Sequence, residues 1–139
     1  MKATLETRFV DFPADDSLLP EVRATFSNRE RLAFQQGWRP EPEVGFRPGF
    51  VVTAWHPGEF LVFAELEDEE IYSDVSGLND ATWEKGDVFE MFLRNVVREE
   101  YQEFHVAPNN CKLQLRIPSL EELVDRQKRH AIMSGFELR

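Results

Sequence analysis

The chain has 139 residues, which suits one compact domain, because single hydrophobic cores usually organise about 100 to 200 residues. Hydrophobic residues make up 42% of the sequence, so the chain can bury a core, and disorder is not expected. With 16 Lys and Arg against 26 Asp and Glu, the formal net charge is −10, which repels phosphate backbones and anionic lipid headgroups. Nucleic acids and membranes are therefore not expected as partners.

Cysteine content and the N-terminus bear on cross-links and on the compartment. One cysteine, Cys111, excludes an internal disulfide framework and a four-thiolate zinc site. No apolar run has the length of a signal-peptide core or of a membrane span. The compartment stays open: the chain as written suits the cytoplasm, and an extracellular or periplasmic location is expected if a signal or a parent enzyme was removed.

The first 48 residues show little regular pattern, because prolines interrupt short apolar groups. Moderate alternation over residues 4–10 predicts an edge strand. Residues 21–36 contain helix formers with an uneven apolar stripe, which leaves their type of structure undecided. The role of residues 11–48 stays open.

The pattern sharpens from residue 49, where β-branched and aromatic runs are separated by turn sequences. Residues 50–55 and 60–66 flank His56-Pro57-Gly58-Glu59 and predict a hairpin. Three further strands are expected at residues 86–94, 101–107 and 112–117. The turn Pro108-Asn109-Asn110 joins the last two strands.

Polar residues alternate with apolar ones in these last two strands. The polar members are Tyr101, Glu103 and His105 in one strand and Lys112, Gln114 and Arg116 in the other. Because alternate residues of a strand point to opposite sides, we expect one apolar sheet face and one face lined with hydrogen-bonding groups.

A short helix is expected near the C-terminus. Ser119 and Glu122 form a capping box, and Gly135 fits the end of a helix that runs to about Met133. Residues 136–139 resemble the start of another strand. The meander of strands predicts a mainly β protein, an antiparallel sandwich, but about five good strands are too few to cover both of its faces. A missing C-terminal segment or a second chain, as in a homodimer, is expected to complete it.

Three segments within residues 50–117 follow a family pattern. Residues 60–68 form a strand-like run that ends in an acidic residue, and residues 83–93 read Trp-Glu-Lys-Gly-Asp-Val-Phe-Glu-Met-Phe-Leu. Residues 101–109 add a strand and a Pro-Asn turn. In this order and spacing they resemble the family 9 carbohydrate-binding modules and the DOMON-like β-sandwich superfamily, whose Trp-Glu-x-Asp-x-Val-Glu-x-Phe signature carries one inserted residue here. The resemblance implies an immunoglobulin-like or jelly-roll sandwich that binds a mono- or oligosaccharide without catalysis.

The resemblance also implies a set of ligand-binding residues. Trp83 is expected to stack against the sugar, and Glu90 to accept hydrogen bonds from its hydroxyls. Further donors and acceptors on the same face are expected from Glu103, His105 and Arg116. A second stacking aromatic of the family would lie beyond residue 139, and Glu103 stands where the family has an amide. The sugar specificity is therefore not carried over.

Structural interpretations stand beside these assignments. Trp83 can instead close the end of the sandwich as a core residue, and Trp38 and Trp55 are assigned to the core or the hairpin. A cross-strand salt-bridge row is the alternative for the polar face, formed by Glu90 or Glu103 with Arg116 or Lys112. A glycosidase pair of carboxylates is not expected, because nothing marks one of them as an acid, although the chain fits an accessory module of a carbohydrate-active enzyme.

Sugar binding of this kind needs no cofactor, and two cofactor alternatives remain. Calcium suits the oxygen ligands near Asp68 and Asp87, although an exposed acidic strand end explains them more simply. Some DOMON-like domains hold haem between a Met and a His, but Met91 is expected in apolar packing, and His105 alone is a weak ligand signal. An assembly module completed by strand pairing with a second chain is the remaining alternative.

Overall fold

A computed structural model describes residues 5–11, 19–98, 100–119 and 130–131 of the chain. The described part is mainly β, with two four-stranded sheets and one α-helix. The described residues divide into two units, the first within residues 5–69 and the second within residues 70–131. Among the described residues, no helix has the length and hydropathy needed to cross a membrane.

The first unit is built around one long central strand. Its elements are β1 (Arg8–Phe9), α1 (Leu19–Phe26), β2 (Leu32–Ala33), β3 (Phe50–His56) and β4 (Glu59–Glu65). β4 pairs with β3 along its whole length, while β1 and β2 share the other edge of β3, β1 in parallel and β2 antiparallel. The predicted hairpin is therefore confirmed, and the predicted edge strand at residues 4–10 is confirmed over Arg8–Phe9.

Alternation along β3 sets the core of this unit. Val52 and Ala54 are buried together with Phe26 at the end of α1, and the ring of Phe26 stacks on Phe63 of β4 with 5.4 Å between centroids. The region left undecided at residues 21–36 thus divides between α1 and β2. Trp38 is 79% exposed, so its assignment to the core or the hairpin is wrong. Neither its neighbours nor the Pro-rich segment around it belong to a helix or strand.

The second unit contains an antiparallel meander. Its strands are β5 (Phe89–Arg94), β6 (Tyr101–Val106), β7 (Lys112–Ile117) and β8 (His130–Ala131), in that spatial order. The strand predicted at residues 86–94 begins at Phe89, because Gly86 forms a bridge with Ser73 instead and Asp87 N donates to Tyr72 O. The predicted strands at 101–107 and 112–117 are confirmed to within one residue.

The prediction of a helix that runs to about Met133 is wrong at residues 130–131. His130–Ala131 forms β8, which pairs with Leu115 and Arg116 of β7. An unpaired edge of β7 would leave backbone donors and acceptors without partners, and strand pairing satisfies them where a local helix signal cannot. Glu122, Gly135 and the strand expected at 136–139 lie outside the described residues.

The register of β6 and β7 contradicts the predicted separation of polar and apolar faces. Residues directly opposite each other share a sheet face, and Glu103 lies opposite Leu115 while His105 lies opposite Leu113. Each strand alternates as predicted, but the five-residue connection 107–111 matches the polar set of β6 with the apolar set of β7. A shift of one residue would have produced the predicted faces, and the sequence of each strand alone does not set that register.

Candidate functional site

Trp83 lies in a short 3-10 turn, Thr82–Glu84, whose entry is held by Asp80. The Asp80 carboxylate accepts hydrogen bonds from Lys85 Nζ at 2.6 and 2.7 Å, from the backbone N–H of Ser76 at 3.1 Å and from that of Ala81 at 2.9 Å. The hydrogen bonds from Lys85 and then from Ser76 lower the pKa of Asp80 to about 2. The loop that carries the indole therefore closes on one ionised carboxylate.

Two asparagines attach this loop to the sheet of the second unit. Asn79, with φ of 62°, accepts the backbone N–H of Gln114 on its Oδ1 at 3.0 Å, and its own N–H donates to Lys112 O at 2.7 Å. Asn109, in the turn before β7, donates from Nδ2 to Val75 O at 2.7 Å. Asparagine tolerates the left-handed conformation better than most residues, which suits it to the first of these positions.

His105 lies at the centre of the site and is 2% exposed. Its Nδ1 is 2.8 Å from Thr82 Oγ1 and 3.4 Å from Glu90 Oε1 on the neighbouring strand. Its Nε2 is 3.5 Å from Glu103 Oε2 but makes no hydrogen bond to any of the described residues. The imidazole is thus held at one nitrogen and left with an unsatisfied polar atom at the other.

Glu103 is a buried carboxylate on the same side of the sheet, 6% exposed. Tyr101 donates its hydroxyl to Glu103 Oε1 at 3.1 Å. Removing a carboxylate from water costs roughly several kcal/mol, even after the protein relaxes around it, unless hydrogen bonds or an opposite charge compensate the loss of hydration. In the described part of the chain, the imidazole of His105 is the only ion-pair partner of Glu103.

The groups around His105 form a buried layer and an accessible rim. Thr82, Glu103 and His105 are buried, whereas the side chain of Glu90 is 31% exposed. Two partly exposed aromatic rings approach His105 edge-on, Trp83 at 5.8 Å and Phe92 at 6.3 Å between centroids. We call Trp83, Glu90 and Phe92 the rim. A rim of two aromatic rings and one carboxylate can contact a small molecule, and the buried layer beneath holds the rim in place.

Four of the five predicted ligand-binding residues meet at this site, namely Trp83, Glu90, Glu103 and His105. Arg116 does not, because it pairs with Gln102 across the strands and therefore lies on the opposite face from His105. Its guanidinium binds Glu100 at 2.5 Å, and this hydrogen bond lowers the pKa of Glu100. The salt-bridge row considered for Glu90 and Glu103 is accordingly not formed with Arg116.

Two residues of the site were not assigned from the sequence. Phe92 alternates with Glu90 along β5, so strand periodicity alone would have placed it on the same face. Thr82 carries no such signal, because its contact with His105 joins residues 23 apart in the chain and depends on the path of the loop. Trp55, assigned to the core or the hairpin, lies in the hairpin strand β3 and is 45% exposed.

The cofactor alternatives gain no ligand set from the described residues. No group of three or more His, Cys, Asp or Glu in this part of the chain is arranged to hold a metal ion. Asp87, named for calcium, accepts the backbone N–H of Tyr72 at 2.7 Å. Met91 and His105, the haem pair, lie on opposite faces of the sheet, since Met91 is paired with Phe104 and Glu90 with His105.

Thr82, His105 and Glu103 also follow the order of a nucleophile, a base and an orienting acid. However, Thr82 is fully buried, with a relative exposure of 0%. A substrate cannot reach its hydroxyl without rearrangement of the turn, so the three residues form an internal support rather than a reactive group.

Comparison with known proteins gave no match to a family model, a curated protein or a solved structure. The resemblance to the family 9 modules therefore remains a prediction from its residues.

Proposed function

We propose that the protein binds a carbohydrate without catalysis, at the rim formed by Trp83, Glu90 and Phe92. The observation that carries this proposal is the meeting of an exposed indole and a partly exposed carboxylate on one buried imidazole. The flat apolar face of an indole packs against the C–H face of a pyranose, and a carboxylate accepts hydrogen bonds from two neighbouring hydroxyls. Glu90 gains from this ligand the hydrogen bonds that its partial burial otherwise denies it.

The buried layer of the site supports the same function by positioning the rim. Thr82 joins the turn that carries Trp83 to His105, and His105 in turn contacts Glu90. A site fixed by packing and hydrogen bonds behind it binds more tightly than a mobile one, because less conformational entropy is lost on binding. In this proposal His105 is a positioning residue and does not touch the sugar.

Isothermal titration with a panel of mono- and oligosaccharides tests the proposal. We expect heat with at least one sugar, and loss of that heat in Trp83→Ala. Trp38→Ala is the matched control, because Trp38 is 79% exposed and lies in the other unit. The proposal fails if no sugar gives heat with folded wild-type protein, or if the two tryptophan variants bind equally well.

The proposed function goes together with a particular type of β fold. The mainly β composition and the order of β5, β6 and β7 within residues 50–117 support an antiparallel sandwich of the DOMON-like type. An experimental structure in which the two sheets do not pack face to face would reject this assignment.

An assembly role is the second candidate, and β4 favours it. β4 is seven residues long and pairs with β3 on one side, while no described strand pairs on its other side. Such an edge presents backbone donors and acceptors to another chain. Native mass spectrometry would show a dimer if this edge mediates assembly. A monomer that binds sugar would leave the first proposal alone.

A further inference from the structure

Among the described residues, acidic groups outnumber basic groups at the proposed sugar site. Glu90 and Glu103 both approach the imidazole of His105, at 3.4 and 3.5 Å. No other ion pair is formed by either carboxylate within the described residues. Two carboxyl groups therefore meet one imidazole, so this cluster has one acidic group more than it has basic groups.

Three described cations of the same unit lie away from the Glu90 carboxylate or bind other groups. Arg116 lies on the opposite face and binds Glu100, and Lys85 binds Asp80. Arg94 is on the same face as Glu90 but lies four residues farther along β5. At the usual rise of a strand, the Cα atoms of the two residues are roughly 13 Å apart. No lysine or arginine among the described residues therefore neutralises the accessible carboxylate of Glu90 by a direct ion pair.

The aromatic members of the rim suit a cation as well as a sugar. Trp83 is 38% exposed and Phe92 is 56% exposed, and both rings lie beside the imidazole that Glu90 contacts. The face of an aromatic ring attracts an ammonium group, and a nearby carboxylate adds a charge-assisted hydrogen bond. The net charge of −10 further raises the local concentration of cationic ligands.

We propose that the preferred ligand is a cationic sugar, a hexosamine whose free amine is protonated, with its ring on Trp83 and its ammonium at Glu90. This inference rests on the proposed function, since it names the class of sugar that the same site takes. A neutral sugar supplies hydroxyls to Glu90 but leaves the excess negative charge in place. An ammonium group on the sugar ring supplies both the donors and the missing charge.

Three disaccharides of the same linkage isolate the charge: the β-1,4-linked dimers of glucosamine, N-acetylglucosamine and glucose. Isothermal titration of the full chain at low salt measures each one. We expect the glucosamine dimer to bind about three- to tenfold more tightly than the other two, the range of an exposed ion pair with an aromatic contact. Added salt should reduce that preference, because it screens exposed charges.

Two variants locate the preference at Glu90. Glu90→Gln keeps the size of the side chain and should remove the preference while retaining weak binding of the neutral dimers. Glu6→Gln is the control, because it changes the net charge equally at an exposed site of the other unit. Equal loss of preference in both variants would mean a general charge effect and would overturn the assignment to Glu90.

The outcomes separate this inference from the function on which it rests. Equal affinity for the neutral and the cationic dimers would overturn the inference and leave carbohydrate binding intact. Binding of a simple alkylammonium ion as tightly as the glucosamine dimer would overturn both, because the sugar ring would then contribute nothing. Absence of binding by all three dimers, with the protein folded, would overturn the inference, and the wider sugar panel would then decide the proposed function.

Discussion

Glu90 and His105 are directly paired across β5 and β6, with Glu90 Oε1 at 3.4 Å from His105 Nδ1. One of the two side chains reaches solvent and the other is buried. The pair therefore links the accessible rim to the interior of the second unit. A ligand that binds to Glu90 changes the electrostatic environment of the imidazole at close range. The NMR resonances of the His105 ring should therefore report occupancy of the site, although no ligand touches the ring.

Replacing Glu103 by glutamine should stabilise the protein. The amide keeps an acceptor for Tyr101 and brings a donor towards His105 Nε2, which lacks a hydrogen bond in the described structure. It also removes a buried charge. We expect the free energy of unfolding of Glu103→Gln at neutral pH to rise by about 1 kcal/mol in urea denaturation.

Glu100→Gln is the control for this change, since it weakens the bond to Arg116 and should lower stability. A loss of stability in Glu103→Gln would show that the carboxylate and the imidazole form a favourable ion pair, and would contradict the view that this charge is poorly compensated.

Thr82→Val tests the support beneath Trp83. Valine has nearly the same shape but lacks the hydroxyl that lies 2.8 Å from His105 Nδ1. Because Thr82 is fully buried, we expect a loss of about 1 to 2 kcal/mol in the free energy of unfolding, together with weaker sugar binding. Thr25→Val removes a hydroxyl bond to Glu21 O in α1 and should change neither quantity appreciably. Unchanged binding in Thr82→Val would remove His105 from its positioning role.

Asp80 makes the loop around Trp83 sensitive to acid. Its pKa falls from an ordinary value of 3.8 to about 2 in the folded protein. A carboxylate with a depressed folded pKa stabilises the protein fully above the unfolded pKa, and this stabilisation is lost as the pH falls through the folded pKa. Wild-type protein should therefore lose melting temperature between about pH 4 and pH 2, partly because of this group.

Asp80→Asn should start from a lower melting temperature at pH 6 and decline less over that acid range, as measured by circular dichroism. Asp11→Asn, an exposed carboxylate in the first unit, serves as the control and should follow the wild type. Parallel curves for Asp80→Asn and wild type would contradict the assignment of the acid sensitivity to Asp80.

Gly86 is required by the close approach of two chain segments. A Cβ atom at this position would lie 2.4 Å from Tyr72 O and 2.8 Å from Ser73 Cα, and its φ of 139° is unfavourable for other residues. Gly86→Ala should cost about 2 kcal/mol or more of unfolding free energy. Gly77→Ala, where a Cβ would meet nothing within 4 Å, should be nearly neutral in the same denaturation experiment. Similar stabilities of the two variants would disprove the steric argument.

Local signals in the sequence predicted the local structure well. The hairpin of β3 and β4 was predicted because β-branched runs flank Pro57-Gly58, and Gly58 does take a positive φ of 86°. The strands β6 and β7 were predicted with their bounds nearly correct for the same reason. Each of these features depends on residues close together in the chain.

Features that depend on distant pairing were predicted poorly. The placement of Arg116 failed because the register of β6 and β7, and not the alternation within either strand, decides which side chains share a face. Strand β8 was missed because β7 provides its partner, whereas the local sequence favours a helix. Strand alternation placed Glu103 and His105 on one face, whereas the addition of Trp83 and Glu90 to them was predicted through the family resemblance.

The strand β3 has partners that lie at very different distances along the chain. β4 follows it after a two-residue turn, whereas the contact of Thr7 with Thr53 beside β1 spans 46 residues. Closing the longer loop costs more chain entropy, so the hairpin is expected to form early in folding and β1 to add late. Weakening β1 should therefore accelerate unfolding more than it slows folding. We therefore expect β1 to influence mainly the lifetime of the folded state, and the hairpin to influence mainly the rate at which this state forms.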